Sequence, residues 1–206
     1  AGQGGARGVL STIGRMADSI TPPLIEFETP RLRLRQWRES DLAPFAALAA
    51  DPEVMAFLLP VPTRADSDAL AERLKARIDE NGWGFWAVEH KDSGEFAGFT
   101  GLNVPLAALP FSPCVEIGWR FGRKWWRQGF ASEAARGALQ IGFERLGFDE
   151  IVAFTAVGNL RSAAVMERIG MHEDVAGAFD HPALPEGHAL RRHRLYRISR
   201  PPQQRR

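Results

Sequence analysis

Cysteine occurs once in 206 residues, at Cys114, which excludes a disulfide framework and any metal site built from several thiolates. That usage fits a reducing compartment, so a cytoplasmic location is expected. Long apolar runs are missing too: none approaches the roughly 18 residues a membrane span needs, and no membrane partner is expected. Neither sign of charge prevails. The 26 basic and 25 acidic residues leave a formal net charge of +1, so the molecule as a whole is not built to hold a polyanion, and nucleic acid is not an expected partner. Lysine is scarce, the basic residues being nearly all arginine along the entire chain. Such a bias reads as genome composition and gives little meaning to any single arginine. What the chain does have is 45% apolar residues, 6 Trp and 13 Phe, enough for one sizeable core in one domain.

Residues 1–15 are Gly-rich, carry Arg but no acid, and show no sustained period, as a transit-type leader or an expression remnant ahead of Met16 would. Residues 1–24 are expected to form a flexible leader, 25–200 the domain, and 201–206 a flexible tail. Within the domain, Arg31-Leu32-Arg33-Leu34-Arg35 alternates strictly and predicts a half-buried strand. Glu39-Ser40-Asp41 opens a helix, and Thr63-Arg64-Ala65-Asp66 caps a second that stops at Asn81-Gly82. Phe85–Glu89 and Phe96–Leu102 read as a hairpin around Lys91-Asp92-Ser93-Gly94, and Cys114–Phe121 as a further strand. Gly129–Leu146 is the most clearly amphipathic helix. Ile151–Val157, Asn159–Ile169 and Arg191–Ile198 follow as strand, short helix and closing strand, with room for one more strand after Gly170. This order predicts an α+β fold with a mixed sheet and no repeats.

The chemistry concentrates between Trp119 and Ala134, where a strand runs through a basic loop into a helix opened by Gly129-Phe130-Ala131-Ser132. The first turn of a helix has four N–H groups without internal partners, and small residues let an anion approach them. A hydrogen bond to a charged group contributes about 1.5–3 kcal/mol, against about 0.3–1 kcal/mol from the helix dipole, so direct bonding dominates. A helix start with a common Gly is the plainer explanation, and the residues alone leave both open. The stretch is neither G-x-G-x-x-G nor G-x-x-x-x-G-K-[ST], which disfavours dinucleotide folds and nucleotide hydrolases.

The run Trp126-Arg127-Gln128-Gly129-Phe130-Ala131-Ser132-Glu133-Ala134 resembles motif A of the GNAT N-acetyltransferases. It is most similar to the branch of ribosomal-protein N-terminal alanine acetyltransferases, where W-G-x-G-Y-A-x-E-A is usual. Glu28–Arg35 resembles that branch's opening strand, Glu116-Ile117-Gly118-Trp119 its fourth strand, and Asn159–Ser162 with Glu167–Met171 its N-x-x-S segment. The resemblance spans about residues 25–198. It implies a mostly antiparallel sheet of six to seven strands, about four helices, and a cleft between strands four and five. It also implies acetyl-CoA as co-substrate and no metal. By position, the backbone of Trp119 and Phe121 would pair with pantetheine. Amides of Arg127, Gln128, Gly129, Phe130, Ala131 and Ser132 would hold the pyrophosphate. Trp126 would offer ring surface, and Asn159 would meet the pantetheine or cysteamine end.

Two positions depart from the family pattern: Trp126 stands where motif A usually opens with Gln or Arg, and Met166 stands where many members have a Tyr. The Tyr that many members use to protonate the leaving thiolate aligns with Met166, which has no proton to give. Ser162 is the substitute the branch suggests, although a local hydrogen bond at the helix start explains it equally well. Glu116 shares a strand face with Cys114, Gly118 and Arg120, and a lone carboxylate there can act as general base, worth roughly 10²–10⁴-fold; a salt-bridged or solvated carboxylate is the alternative. At pH 7 a lysine amine is free base roughly once in 2,500 molecules and an α-amine roughly once in five to ten, which leans toward an α-amine. Cys114 reads as a small core residue, and His181, His188 and His193 lack metal-ligand spacing. Asp180 or His181, in a Pro/Gly-rich loop, is a candidate to touch substrate. The stretch from Arg191 to Arg206 holds seven Arg and reads as a solvated edge.

The expectation is therefore an N-acetyltransferase, monomer or homodimer, acting on a primary amine, with peptide N-termini ahead of small amines such as polyamines, amino sugars or antibiotics. Its rivals are a non-catalytic acyl-CoA-binding or sensing module and an ordinary nucleotide-phosphate binder.

Overall fold

The computed structural model describes residues 22–202; the leader expected over residues 1–15 and the last residues of the expected tail lie outside the described residues. One sheet of eight strands runs in the order β1-β2-β3-β4-β5-β6-β8-β7. Its strands are β1 (Phe27–Glu28), β2 (Leu32–Arg35), β3 (Phe85–His90), β4 (Phe96–Asn103), β5 (Glu116–Phe121), β6 (Glu150–Ala156), β7 (His172–Asp180) and β8 (Arg192–Ser199). The helices are α1 (Leu42–Ala50), α2 (Arg64–Asn81), α3 (Phe130–Gln140) and α4 (Leu160–Arg168). The two-residue β1 is too short for any alternation to reveal. With β1 counted, the fourth and fifth strands of the resemblance are β5 and β6.

Local chemistry sets the element ends. Thr63 accepts from the Asp66 N–H at 3.1 Å while the Asp66 carboxylate accepts from the Thr63 N–H at 3.2 Å, a reciprocal cap that starts α2. Gly82 closes the same helix in the left-handed region, φ 77°. The long amphipathic pattern after Gly129 continues past α3 as a π-helical turn over Ile141–Arg145.

Strand alternation divides the core. On one face Phe99 packs on Phe45 of α1, with ring centroids 6.0 Å apart, and Phe85 lies 5.4 Å from Phe99. The other face carries Leu102 and Ile151 against α3 and its π turn, at Gly142. Leu102 has no exposed surface. Leu102→Ala is expected to cost about 2–5 kcal/mol in a denaturant titration, the range for a buried Leu that leaves a cavity.

The opening strand is not half-buried as its alternation suggests. Arg35 is only 2% exposed. Its Nη1 and Nη2 donate to Asp41 at 2.7 and 2.9 Å, and its Nε to Glu89 at 2.8 Å. Asp41, just ahead of α1, and Glu89 on β3 cover that face and supply the counter-charge, which the sequence of the strand alone does not show. At the far edge the basic stretch is neutralised: Arg194 pairs with Glu173, Arg197 with Asp174 and Glu150, and Arg192 with Asp180. No helix among the described residues is long and apolar enough to cross a membrane.

Candidate active site

Every neighbouring strand pair is antiparallel except β5 and β6, which run parallel and share one registered pair, Glu116 with Val152. Beyond it they part. The Val152 N–H donates to the Val115 carbonyl at 2.9 Å, and on the other edge of β5 the Gly122 N–H donates to the Ala97 carbonyl at 3.1 Å. Backbone groups alternate sides along a strand. Those of Ile117, Trp119 and Phe121 therefore point away from β4 and across the gap. The Phe121 carbonyl is taken by the Trp126 indole N–H at 2.8 Å; its N–H and the polar backbone of Trp119 face the opening.

The opening is a cleft of about 1950 Å³, larger than the roughly 300–1,000 Å³ of a site for one small ligand. One mouth lies at the start of α3. There Arg127 and Gly129 both take left-handed backbone, φ 59° and 81°. The N–H groups from Arg127 through Ser132 have no hydrogen-bond partner among the described residues; the next, Glu133, donates to the Gly129 carbonyl at 3.0 Å. Successive free amides turned by left-handed residues at a helix start form an anion-binding nest. Gly129 makes the turn possible because a Cβ disfavours that φ.

Arg31 fixes the nest from β2's side. Its Nε donates to Glu133 at 2.6 Å, its Nη1 to the Gln128 carbonyl at 2.9 Å, and its guanidinium sits 4.2 Å from the Phe130 ring centre. Around it Arg123, Arg127, Arg136, Arg161 and Arg168 also line the cleft, and Arg161 stacks on Trp126 at 4.3 Å. Sequence reasoning missed this arginine rim. Its members come from distant segments of a chain in which arginine is everywhere, so only the fold assembles them.

Asn159 caps α4: its Oδ1 accepts from the Ser162 N–H at 3.3 Å, and its Nδ2 donates to Thr155 Oγ1 at 2.9 Å and Ser162 Oγ at 3.0 Å. Both side chains line the cleft. Asn159 has its donors committed inward, while the Ser162 hydroxyl proton has no acceptor among the described residues. Met166 is buried and lines the same wall. The single tyrosine, Tyr196, is fully buried on β8, where its hydroxyl donates to Glu167 at 3.4 Å. It is not part of the cleft wall.

Glu116 sits at the closed end, one residue before the cleft wall begins at Ile117. Its Oε1 accepts from the Asn103 amide at 2.7 Å. Burial pushes its carboxyl above the ordinary carboxylate range, and the Asn103 bond offsets part of that rise. Cys114 is partly buried, and burial together with Glu116 pushes its thiol up, the opposite of activation. His181 stands one layer behind the cleft, its ring 5.1 Å from that of His193 and 6.1 Å from that of Phe154, which does line it. Asp180 is occupied by Arg191 and Arg192. No cluster of three or more His, Cys, Asp or Glu among the described residues is arranged to hold a metal.

A split between parallel strands with a nest of free amides at its mouth is a strong pointer, and comparison with known proteins decides what it belongs to. Residues 31–172 match the model of the acetyltransferase (GNAT) domain. The chain belongs to the GNAT acetyltransferases. The Bacillus subtilis protein YkkB is 34% identical over 145 residues, which cover 70% of this chain and 83% of YkkB. A GNAT-family acetyltransferase from Bacillus anthracis superposes with a TM-score of 0.71 at 24% identity, over 85% of this chain and 99% of that one. The spermidine N-acetyltransferase of Vibrio cholerae, solved with CoA and spermine, does so with a TM-score of 0.65 at 19% identity, over 82% and 96%. The GNAT chain is thus an acetyl-CoA-dependent acetyltransferase with the mixed α+β fold of its family, and its acceptor is an amine.

Proposed function

We propose that this GNAT enzyme moves the acetyl group from acetyl-CoA directly to a primary amine, with protein N-terminal α-amines as the leading acceptor class. The observation that carries the donor side is the run of six amides from Arg127 to Ser132, unpartnered among the described residues, at the mouth of the cleft. Acetyl-CoA supplies an activated thioester; the chain supplies the geometry. Amides of the nest, with the arginine rim, bind the pyrophosphate. The Trp119 and Phe121 backbone edges continue the grip as a strand would along pantetheine, and Trp126 with Arg161 closes one wall. N–H groups on the free edge of β5 polarise the carbonyl.

Glu116 removes the ammonium proton through water, from a position where burial favours a proton-accepting group of raised pKa. Ser162 donates its uncommitted hydroxyl proton as a hydrogen bond to the departing thiolate, a role left vacant by Met166. Resemblance to the ribosomal-protein branch and the easier deprotonation of an α-amine support the acceptor class.

Parallel calorimetric titrations with acetyl-CoA, desulfo-CoA and ATP test the donor site. Acetyl-CoA is expected to bind at micromolar concentration and ATP far more weakly, because only a pantetheine cleft adds contacts beyond the phosphates. A folded sample that ignores acetyl-CoA would remove the catalytic assignment, and equal binding of ATP would favour a phosphate binder.

A further inference from the structure

Arg120 is the one residue of β5 whose chemistry the acetyl-transfer reading leaves unused. It alternates with Trp119 and Phe121, so its side chain leaves the sheet on the α1–α2 face, the face opposite α3. Its guanidinium lies over the Phe99 ring, 5.2 Å from the centre. That ring supports the flat face of the group and satisfies none of its N–H bonds, which lie in the plane. Arg120 lines the cleft, yet its Nε and Nη1 are sealed from solvent and have no hydrogen-bond partner among the described residues. Burial pulls the group down to about 10, which still leaves it cationic at neutral pH.

The surroundings explain why nothing answers this charge. The wall that the α1–α2 side gives the cleft is largely apolar: Val54 and Phe57 from the α1–α2 connection, Leu70 and Leu74 of α2, and on the sheet Phe85 and Phe99. The acidic groups of that connection are already taken, since Arg123 pairs with both Asp51 and Glu53. Glu116 shares the strand face, but it lies four residues away, about 13 Å along a strand, and is bonded to Asn103. A buried cation without a partner costs stability unless something else provides one.

We infer that Arg120 is the acceptor-recognition residue, and that the acceptor is an amine bearing a carboxylate on an otherwise apolar body. A carboxylate is the planar acceptor that matches a guanidinium edge, and the apolar walls suit the rest of such a molecule. The same cation repels polyamines, so spermidine is a poor acceptor here. This inference rests on acetyl transfer to an amine and narrows it. The carboxylate has two sources: a free amino acid, or the acidic side chain of a peptide near its N-terminus.

The test uses the full chain and matched pairs: leucine against leucinamide, methionine against methioninamide, and the peptide amides Ala-Asp-Ala against Ala-Asn-Ala, with spermidine alongside. CoA release is measured for each. The expected result is roughly ten- to a hundredfold higher kcat/KM for the carboxylate member of at least one pair, the range for a hydrogen-bonded charged group. The α-amine of an amide deprotonates more readily than that of the free acid, so amine reactivity alone would favour leucinamide. In Arg120→Gln the carboxylate preference collapses, and Arg120→Lys restores only part of it. Preference within the amino-acid pairs names a small-molecule acceptor; preference within the peptide pair alone names an acidic N-terminus.

A second readout needs no turnover. Calorimetric binding of N-acetylleucine should be tighter than that of N-acetylleucinamide in the wild type and indistinguishable in Arg120→Gln. Amines that turn over with no carboxylate preference would overturn the assignment of Arg120 while leaving acetyl transfer intact. Discrimination between the two N-acetyl compounds without turnover of any amine would keep Arg120 and remove the transferase reading. Equal binding and no turnover would sink both.

Discussion

Gly129→Val is expected to weaken acetyl-CoA binding by at least about a hundredfold in a calorimetric titration. Space is not the reason, because a Cβ there would meet only Arg31 Nη2 at an ordinary 3.5 Å. The backbone is. Gly129 holds φ 81°, where an L side chain costs about 1–2 kcal/mol and a β-branched one most of all. The chain relieves that strain by rotating the peptide units on either side, and these carry the free amides of the nest. Each bond to a charged phosphate contributes about 1.5–3 kcal/mol, so misaligning two of them loses about 3–6 kcal/mol. Gly94→Val is the control, since Gly94 also has positive φ, 69°, with nothing within 4 Å of its Cβ position, in the β3–β4 turn. It should melt earlier yet bind acetyl-CoA normally. If Gly129→Val bound as tightly as the wild type, the pyrophosphate would have to sit elsewhere.

The contrast between these glycines shows what the sequence could and could not tell. Signals written in neighbouring residues were legible: the Thr63–Asp66 cap, the Gly82 stop, the strand–loop–helix run from Trp119 to Ala134. Alternation even placed Glu116 and Arg120 on one face of their strand. What stayed hidden depends on partners far along the chain. The burial of Arg35 requires Asp41 and Glu89 to arrive from other elements. Asn159 and Ser162 could be located, but only the fold shows Asn159 spending its amide on the cap while the Ser162 hydroxyl proton stays free. Arg120 was invisible as a special residue because its distinction is a buried Nε and Nη1 without a partner among the described residues, a property no spacing encodes. The split of β5 from β6 is of the same kind: each strand reads normally, and the cleft exists because their parallel pairing stops after Glu116 and Val152.

Glu116→Gln should lower kcat by at least roughly tenfold and as much as 10⁴-fold, the span of general-base effects, while acetyl-CoA affinity stays unchanged. The substitution is nearly isosteric and keeps an oxygen to accept from Asn103, so geometry is preserved and only the proton-accepting charge is lost. The pH dependence separates this role from a structural one. In the wild type the acidic limb of the kcat/KM profile should lie above the ordinary carboxylate range, because burial raises the Glu116 carboxyl; in Glu116→Gln that limb should vanish. The stability sign is worked from the same shift. A carboxyl whose folded pKa exceeds its unfolded one binds its proton more tightly when folded, so its contribution falls as pH rises from the unfolded value through the folded one. Above that window the ionised, buried Glu116 costs stability that Gln does not, and the variant should melt no lower than the wild type at pH 8. Turnover and pH profile both unchanged would take Glu116 out of the mechanism and leave it as Asn103's structural partner at the closed end of the cleft. Loss of turnover with an unaltered melting temperature has no such structural explanation, since the Asn103 bond survives the substitution and the missing proton acceptor does not.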